Sequence, residues 1–119
     1  MDYSFENNIA IYIQILEKIK LEIISGKLKP NEKLLSVREL AVKFKVNPNT
    51  IQKSLIELER INLIYTERTN GKYVTNDIEL INKLKEEIIQ EKVASFLNDM
   101  NNIGINKQDI KRYLNKLEV

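Results

Sequence analysis

Two helix starts lie only eleven residues apart in this chain, at Ser36 and Asn47, and that spacing constrains the fold more than any other feature. Ser36-Val37-Arg38-Glu39 has the form of a capping box. The Ser hydroxyl satisfies an orphan helix amide, and the Glu three residues on reaches back to the cap. Asn47-Pro48-Asn49-Thr50 is a second start. Asn is a favoured N-cap, and Pro at the first helical position sacrifices no hydrogen bond. The interval between them holds one short helix, ending near Lys45, and a tight turn. Val37, Leu40, Ala41 and Phe44 give the first helix an inward face, and Ile51, Leu55, Leu58 and Ile61 give one to the second. Two short helices joined this closely form a helix-turn-helix, with Val46 pinning the turn to the core.

The flanking segments complete a recognisable unit. Ile9, Tyr12, Ile13, Leu16, Ile19, Ile23 and Ile24 recur at helical spacing and predict a helix over 9–25, stopped by Gly26. After the second short helix come two β-prone runs, Leu63 to Thr66 and Lys72 to Thr75. Asn70-Gly71 lies between them and supplies a hairpin signal. A two-stranded ribbon directly after such a helix is a wing. Asn76-Asp77-Ile78-Glu79 then reads as another capping box, opening a long apolar-periodic segment that Gly104 ends. Asn106 caps a last helix carrying Ile110, Tyr113, Leu114 and Leu117. The expected fold is mainly α with a small β-hairpin. Residues 1–75 form a winged helix-turn-helix, and residues 76–119 form a helical dimerisation region.

The net charge of +2 conceals an uneven distribution. Residues 27–75 hold ten Lys/Arg against five Asp/Glu, while the segments on either side are slightly acidic. A basic surface confined to the predicted winged unit suits a polyanion. The chain has no Cys and no His, so disulfides, Cys/His zinc sites and His-dependent triads are excluded. No cofactor or metal is expected. No apolar run approaches the roughly 20 residues that span a bilayer, and the acidic N-terminus is wrong for a signal peptide. A cytoplasmic protein without a membrane partner is the expectation. Enzymatic activity is not expected either: no glycine-rich phosphate loop or activated nucleophile is present. Glu86, Glu87 and Glu91, interspersed with Lys83, Lys85 and Lys92, read as a solvated ion-pair face.

In a helix-turn-helix the start of the second helix meets base edges in the major groove. Here that start offers Asn47, Asn49, Thr50, Gln52 and Lys53, with no acid before Glu57. Asn and Gln can pair with adenine through two hydrogen bonds, Lys reaches guanine or phosphate, and Thr suits a phosphate or a thymine methyl. Asn47 is equally readable as a helix cap and nothing more. Arg38, beside the Ser36 cap on the helix that crosses the backbone, is a clamp candidate.

Three spaced stretches carry a resemblance to a known family. Leu34-Leu35-Ser36-Val37-Arg38-Glu39-Leu40-Ala41, Val46-Asn47-Pro48-Asn49-Thr50-Ile51 and Leu58-Glu59-Arg60-Ile61-Asn62-Leu63-Ile64 resemble the GntR winged-helix signature, in register over residues 9 to 75. Ile11-Tyr12-Ile13-Gln14-Ile15 is similar to that family's start. The resemblance implies DNA contacts at Ser36, Arg38, Asn47, Asn49, Thr50, Gln52 and the wing residues Thr69, Asn70 and Gly71. The C-terminal 44 residues are too few for a large effector domain, and a two-helix tail resembles the YtrA-like subfamily. That resemblance implies dimerisation through the tail and, often, control of transporter operons. Three positions depart from the pattern. The family usually has Pro at Leu35, Gly at Asn31, and Arg-Gly-x-Gly where this chain has Arg68-Thr69-Asn70-Gly71.

Phe96, Leu97, Met100, Ile103, Tyr113, Leu114 and Leu117 form the candidate dimer surface. The expected function is a homodimeric transcriptional regulator, a repressor on a two-fold symmetric duplex operator. No residue pattern identifies a small-molecule effector. The competing reading is a winged helix that binds a partner protein or RNA without reading duplex bases. The polar surface of the second helix, lacking aromatic stacking residues, favours duplex DNA.

Overall fold

A computed structural model describes residues 4–117 of the chain. The element order is α1 (Ile11–Ile24), α2 (Val37–Phe44), α3 (Pro48–Arg60), β1 (Ile64–Glu67), β2 (Gly71–Val74), α4 (Ile78–Asn102) and α5 (Lys107–Lys116). The chain divides into two compact units, one ending at Lys83 and the other beginning at Leu84, so the division falls within α4. The fold class is the one expected, five helices and a two-stranded antiparallel hairpin.

The core of the first unit follows from the helical periods. Ile15, Ile19 and Ile23 line one side of α1, Leu40, Ala41 and Phe44 one side of α2, and Ile51, Leu55 and Leu58 one side of α3. All are buried, with Leu63, Ile64 and Val74 closing the bottom from the wing strands. Each large apolar side chain removed from water contributes about 1.5–3 kcal/mol before chain entropy is counted. Ile61 is an exception to the predicted stripe. It lies beyond the end of α3 and is exposed. Helix α1 also begins later than its periodicity suggests. Ala10 is its N-cap, and Ile9 stays outside because the Gln14 amide takes the carbonyls of Ile9 and Glu6, at 2.7 and 2.9 Å.

The tight turn is a Schellman closure. Val46 N–H donates to the Ala41 carbonyl (3.0 Å) and Lys45 N–H to that of Val42 (3.3 Å), with Lys45 at φ 58°. Asn31 and Asn62 adopt the same left-handed region, each at φ 65°. Asn31 therefore fills the role of the family's usual Gly: its short polar side chain tolerates a conformation that costs bulkier residues more.

The wing strands sit one residue later and one earlier than expected. Leu63 N–H is drawn to the Leu58 carbonyl at the end of α3 (3.1 Å), so the ladder begins at Ile64. Register pairs Ile64 with Val74 and Glu67 with Gly71, leaving Arg68, Thr69 and Asn70 as a three-residue turn. The hairpin that Asn70-Gly71 signals does form, with a turn shorter than the five residues expected between the strands. Gly71 carries the positive φ of 114°, whereas neither Thr69 nor Asn70 has a positive φ. Thr69 thus stands where the family has Gly without forcing the backbone. The segment before α2 adds a third partner, with a bridge between Lys33 and Tyr73 and a Leu34 N–H bond to the Lys72 carbonyl at 2.8 Å.

The start of α4 also differs from the expected box. Asp77, not Asn76, is the cap, accepting from Leu80 N–H at 3.0 Å, and no Glu returns the bond because the third helical residue is Leu80. At the other end Gly104 (φ 82°) turns the chain, and Ile105 N–H closes on the Met100 carbonyl at 2.9 Å. Asn106 then caps α5, in a box with Asp109.

Candidate nucleic-acid interface

The predicted reading residues gather at two neighbouring places in the first unit. The first is the start of α3. Asn49, Gln52 and Lys53 are exposed there, and Thr50 is half-buried. Successive helical residues advance about 100°, so Lys53 lies almost behind Asn49 on the same face, with Gln52 to one side. The first turn holds no acid, so no carboxylate there opposes the partial positive charge of the helix start. Asn47 is occupied as a cap, its Oδ1 accepting from Asn49 N–H at 2.8 Å. Only its side-chain NH₂ remains to donate outward.

The second place is a concavity of about 630 Å³ between the start of α2 and the wing. Ser36 lines it from one wall and Thr69, Asn70 and Gly71 from the other, while Arg38 is exposed on α2 and does not line it. Ser36 is engaged in the predicted box: its hydroxyl accepts from Glu39 N–H at 3.0 Å, and its own N–H donates to Glu39 Oε1 at 2.9 Å. Hydrogen bonding to the Glu39 carboxyl, first from the Ser36 backbone N–H and then from the Ser36 side chain, holds it below the ordinary carboxylate range, and Lys33 adds a smaller pull in the same direction.

Two cations in this concavity, Lys33 and Arg68, escaped the sequence reading. Arg68 is the base of the wing turn, a signal that was present in the sequence. Lys33 becomes part of the wall only through its pairing with Tyr73, 40 residues away in sequence, which no local pattern reveals. Lys72 lines the concavity as well, with its ammonium already engaged. Its ammonium lies 2.8 Å from the Thr66 hydroxyl and 3.6 Å from Glu59, and the Thr66 hydroxyl donates to Glu59. This chain of contacts ties the wing to the last turns of α3. The wing is braced further by the stacked rings of Tyr65 and Tyr73, 5.7 Å apart, and by the Tyr65 hydroxyl on Asn31 Oδ1 at 3.1 Å.

In the second unit Phe96, Met100, Ile103, Tyr113, Leu114 and Leu117 line one apolar groove of about 380 Å³, together with Ile105 and Ile110. Leu97, the seventh predicted residue, is half-buried and does not line it. Ile105 enters because the Gly104 turn folds it back toward Met100. Among the described residues no helix is long and apolar enough to cross a membrane.

Known proteins resemble this chain in sequence and in fold. The family model for bacterial regulatory proteins, gntR family, matches residues 11–74. The HTH-type transcriptional regulator YhcF of Bacillus subtilis is 36% identical over 92% of this chain and 91% of its own length. The HTH-type transcriptional repressor YtrA of the same organism is 32% identical over 90% of this chain and 83% of its own. A GntR family transcriptional regulator from Listeria monocytogenes superposes with a TM-score of 0.86 at 43% identity, covering 96% of this chain and all of that one. The DNA-binding domain of AraR, solved in complex with operator ORR3, superposes with a TM-score of 0.52 at 28% identity, over 62% of this chain and 96% of its own. These relatives are transcriptional regulators and not enzymes.

Proposed function

Because the chain belongs to the GntR family of bacterial transcriptional regulators, with the family's DNA-binding winged helix, we propose that it represses transcription as a homodimer seated on a two-fold symmetric operator. The observation that carries the reading is the acid-free start of α3, with Asn49, Gln52 and Lys53 exposed on one face beside the wing concavity. Asn49 and Gln52 read base edges, and Arg38, Lys33 and Arg68 hold backbone phosphates. Ser36, Thr50 and the wing residues Thr69 to Gly71 complete the contact.

The dimer half of the proposal rests on burial. Among the described residues beyond Lys83, Ile110 alone is buried. Helical segments with one buried residue beyond Lys83 cannot offset the entropy of ordering them. A second copy laid on the Phe96–Leu117 groove supplies the missing contact area, and a closed two-fold arrangement is the commonest way to supply it. The repressor sign and a transporter operon as target follow from the likeness to the YtrA-type regulators.

Selection of binding sequences from a random duplex pool, followed by affinity measurement at fixed salt, tests the reading. The expected result is a two-fold symmetric site preferred over scrambled DNA by roughly 10³ or more and weakened by Arg38→Ala. Absence of any enriched sequence would overturn it. Sedimentation checks the dimer half: Ile103→Lys is expected to give a monomer, and an unchanged dimer would place the interface elsewhere.

A further inference from the structure

The side chain of Lys53 does not extend freely from the recognition surface. Its ammonium lies 4.2 Å from the centre of the Tyr12 ring, on the first turn of α1. The backbone that carries the ring is itself fixed. Ser54, the residue after Lys53, is wholly buried, and its hydroxyl donates to the Tyr12 carbonyl at 2.7 Å and to the Thr50 carbonyl at 3.2 Å. Ile15 of α1 and Ile51 of α3, both fully buried, bracket the same junction. The first turn of α1 is thereby locked to the first half of α3. Lys53 has no carboxylate partner among the described residues, so the ring face is what holds its charge.

We propose that Tyr12 is a positioning residue for DNA reading, whose ring holds the Lys53 ammonium at the α1 edge of the α3 surface, where it takes a backbone phosphate instead of a base. The inference rests on the duplex-reading function proposed above. A free lysine on the first turns of this helix has four rotatable bonds and can reach either a phosphate or a guanine edge. Attraction to an aromatic face at an exposed site favours the ring-bound position by about 2–5-fold. That contact uses the charge of the ammonium and leaves N–H donors for a phosphate oxygen. A cation already held in place loses less freedom when the phosphate arrives. Base reading then falls to Asn49 and Gln52, on the part of the face that Lys53 has vacated.

Phosphate and base contacts leave different signatures. Losing a phosphate contact weakens binding almost equally across sequences and lowers the salt slope by about one, whereas losing a base contact relaxes preference at one position. The experiment is a salt titration and a base-preference profile for the full chain and its variants, on the selected duplex and on single-base variants of it. Lys53→Met is expected to weaken all duplexes by a similar factor, to lower the salt slope by about one, and to leave base preferences unchanged. Tyr12→Phe keeps the ring and is expected to behave as the parent. Tyr12→Leu removes the ring face and is expected to lose about 2–5-fold in affinity and to gain a new guanine preference as Lys53 is released. In Lys53→Met the Tyr12→Leu change is expected to have no further effect on base preference. Relaxed preference at one base in Lys53→Met would overturn the proposal, as would a Tyr12→Leu variant identical to the parent in both measurements. A parent protein that selects no duplex sequence would remove the function and this inference together, and the parent titration alone reports that outcome.

Discussion

Lys45 holds a left-handed backbone at φ 58° in the turn between α2 and α3, and relieving it should stabilise the protein. For a residue with a Cβ that conformation costs roughly 1–2 kcal/mol. Glycine adopts it freely but loses about 0.4–1 kcal/mol more entropy on folding. Lys45→Gly should therefore be more stable than Lys45→Ala by about 0.5–1 kcal/mol, or about 2–8 °C in the melting temperature of a unit of this size. Lys45→Ala is the control, since it removes the same side chain and keeps the strain. The assay is thermal and urea unfolding followed by circular dichroism, on all three proteins at one concentration. The quantity that tests the reasoning is the difference between the glycine and alanine variants, in which lost side-chain contacts cancel. The expected order places glycine above alanine by about 1 kcal/mol. If Lys45→Gly melts at or below Lys45→Ala, the strain at Lys45 does not exceed the entropy that glycine loses on folding, and the Schellman turn is not under the strain its φ angle implies.

Three further outcomes follow from other parts of the first unit. Gly71→Ala places a Cβ at φ 114° and 3.4 Å from Lys33 Cε; it should cost about 1 kcal/mol or more by the same backbone argument and weaken operator binding, as read by melting and titration. Glu59→Gln removes the carboxylate facing Lys72 and Thr66. The exposed pair contributes at most about 1 kcal/mol, but the released ammonium should steepen the salt dependence of duplex binding by about one unit, and an unchanged slope would count against the tether. Glu39 has its folded pKa depressed by Ser36, so its contribution is present above the unfolded pKa and is lost as pH falls through the folded one. Melting temperatures from neutral to acid pH should therefore show a gap between the parent and Glu39→Gln that closes on the acid side of the ordinary carboxylate range.

The parts of this fold legible in the sequence are those fixed by neighbours along the chain. Ser36 with Glu39, Asn47 with Pro48, and Asn106 with Asp109 announce helix starts because each cap is closed within three residues. The buried stripes of α1, α2 and α3 are readable for the same reason. What escapes depends on distant partners. The strand boundaries shift by one residue because Leu63 is claimed by α3 and because the segment at Lys33 pairs with β2. Lys53 reads as a free cation that reaches guanine or phosphate, because its ring partner Tyr12 lies 41 positions earlier. The Asn70-Gly71 pair signals the hairpin, and the pairing of Glu67 with Gly71 shortens its turn to three residues beside Gly71, which alone needs the permissive backbone.

The size of the reading surface bears on the oligomeric state independently of the apolar groove. If Lys53 is committed to a phosphate, one α3 presents Asn49 and Gln52 to base edges. Each well-formed bidentate pair discriminates by about 1–3 kcal/mol, so one head distinguishes sites by roughly 2–6 kcal/mol. Specific regulators separate their sites from random DNA by about 4–10 kcal/mol. A single head reaches only the lower part of that range, whereas two heads on a symmetric site, with roughly additive contributions, cover it. The same count explains why the weakly buried second unit belongs in the mechanism. In the dimer proposed above its groove would join two readers, each too small to select a promoter alone, and reading would then depend on assembly. A variant that dissociates the dimer, such as Ile103→Lys, should keep the winged unit folded and its salt-dependent binding intact while losing most of its preference for the selected site.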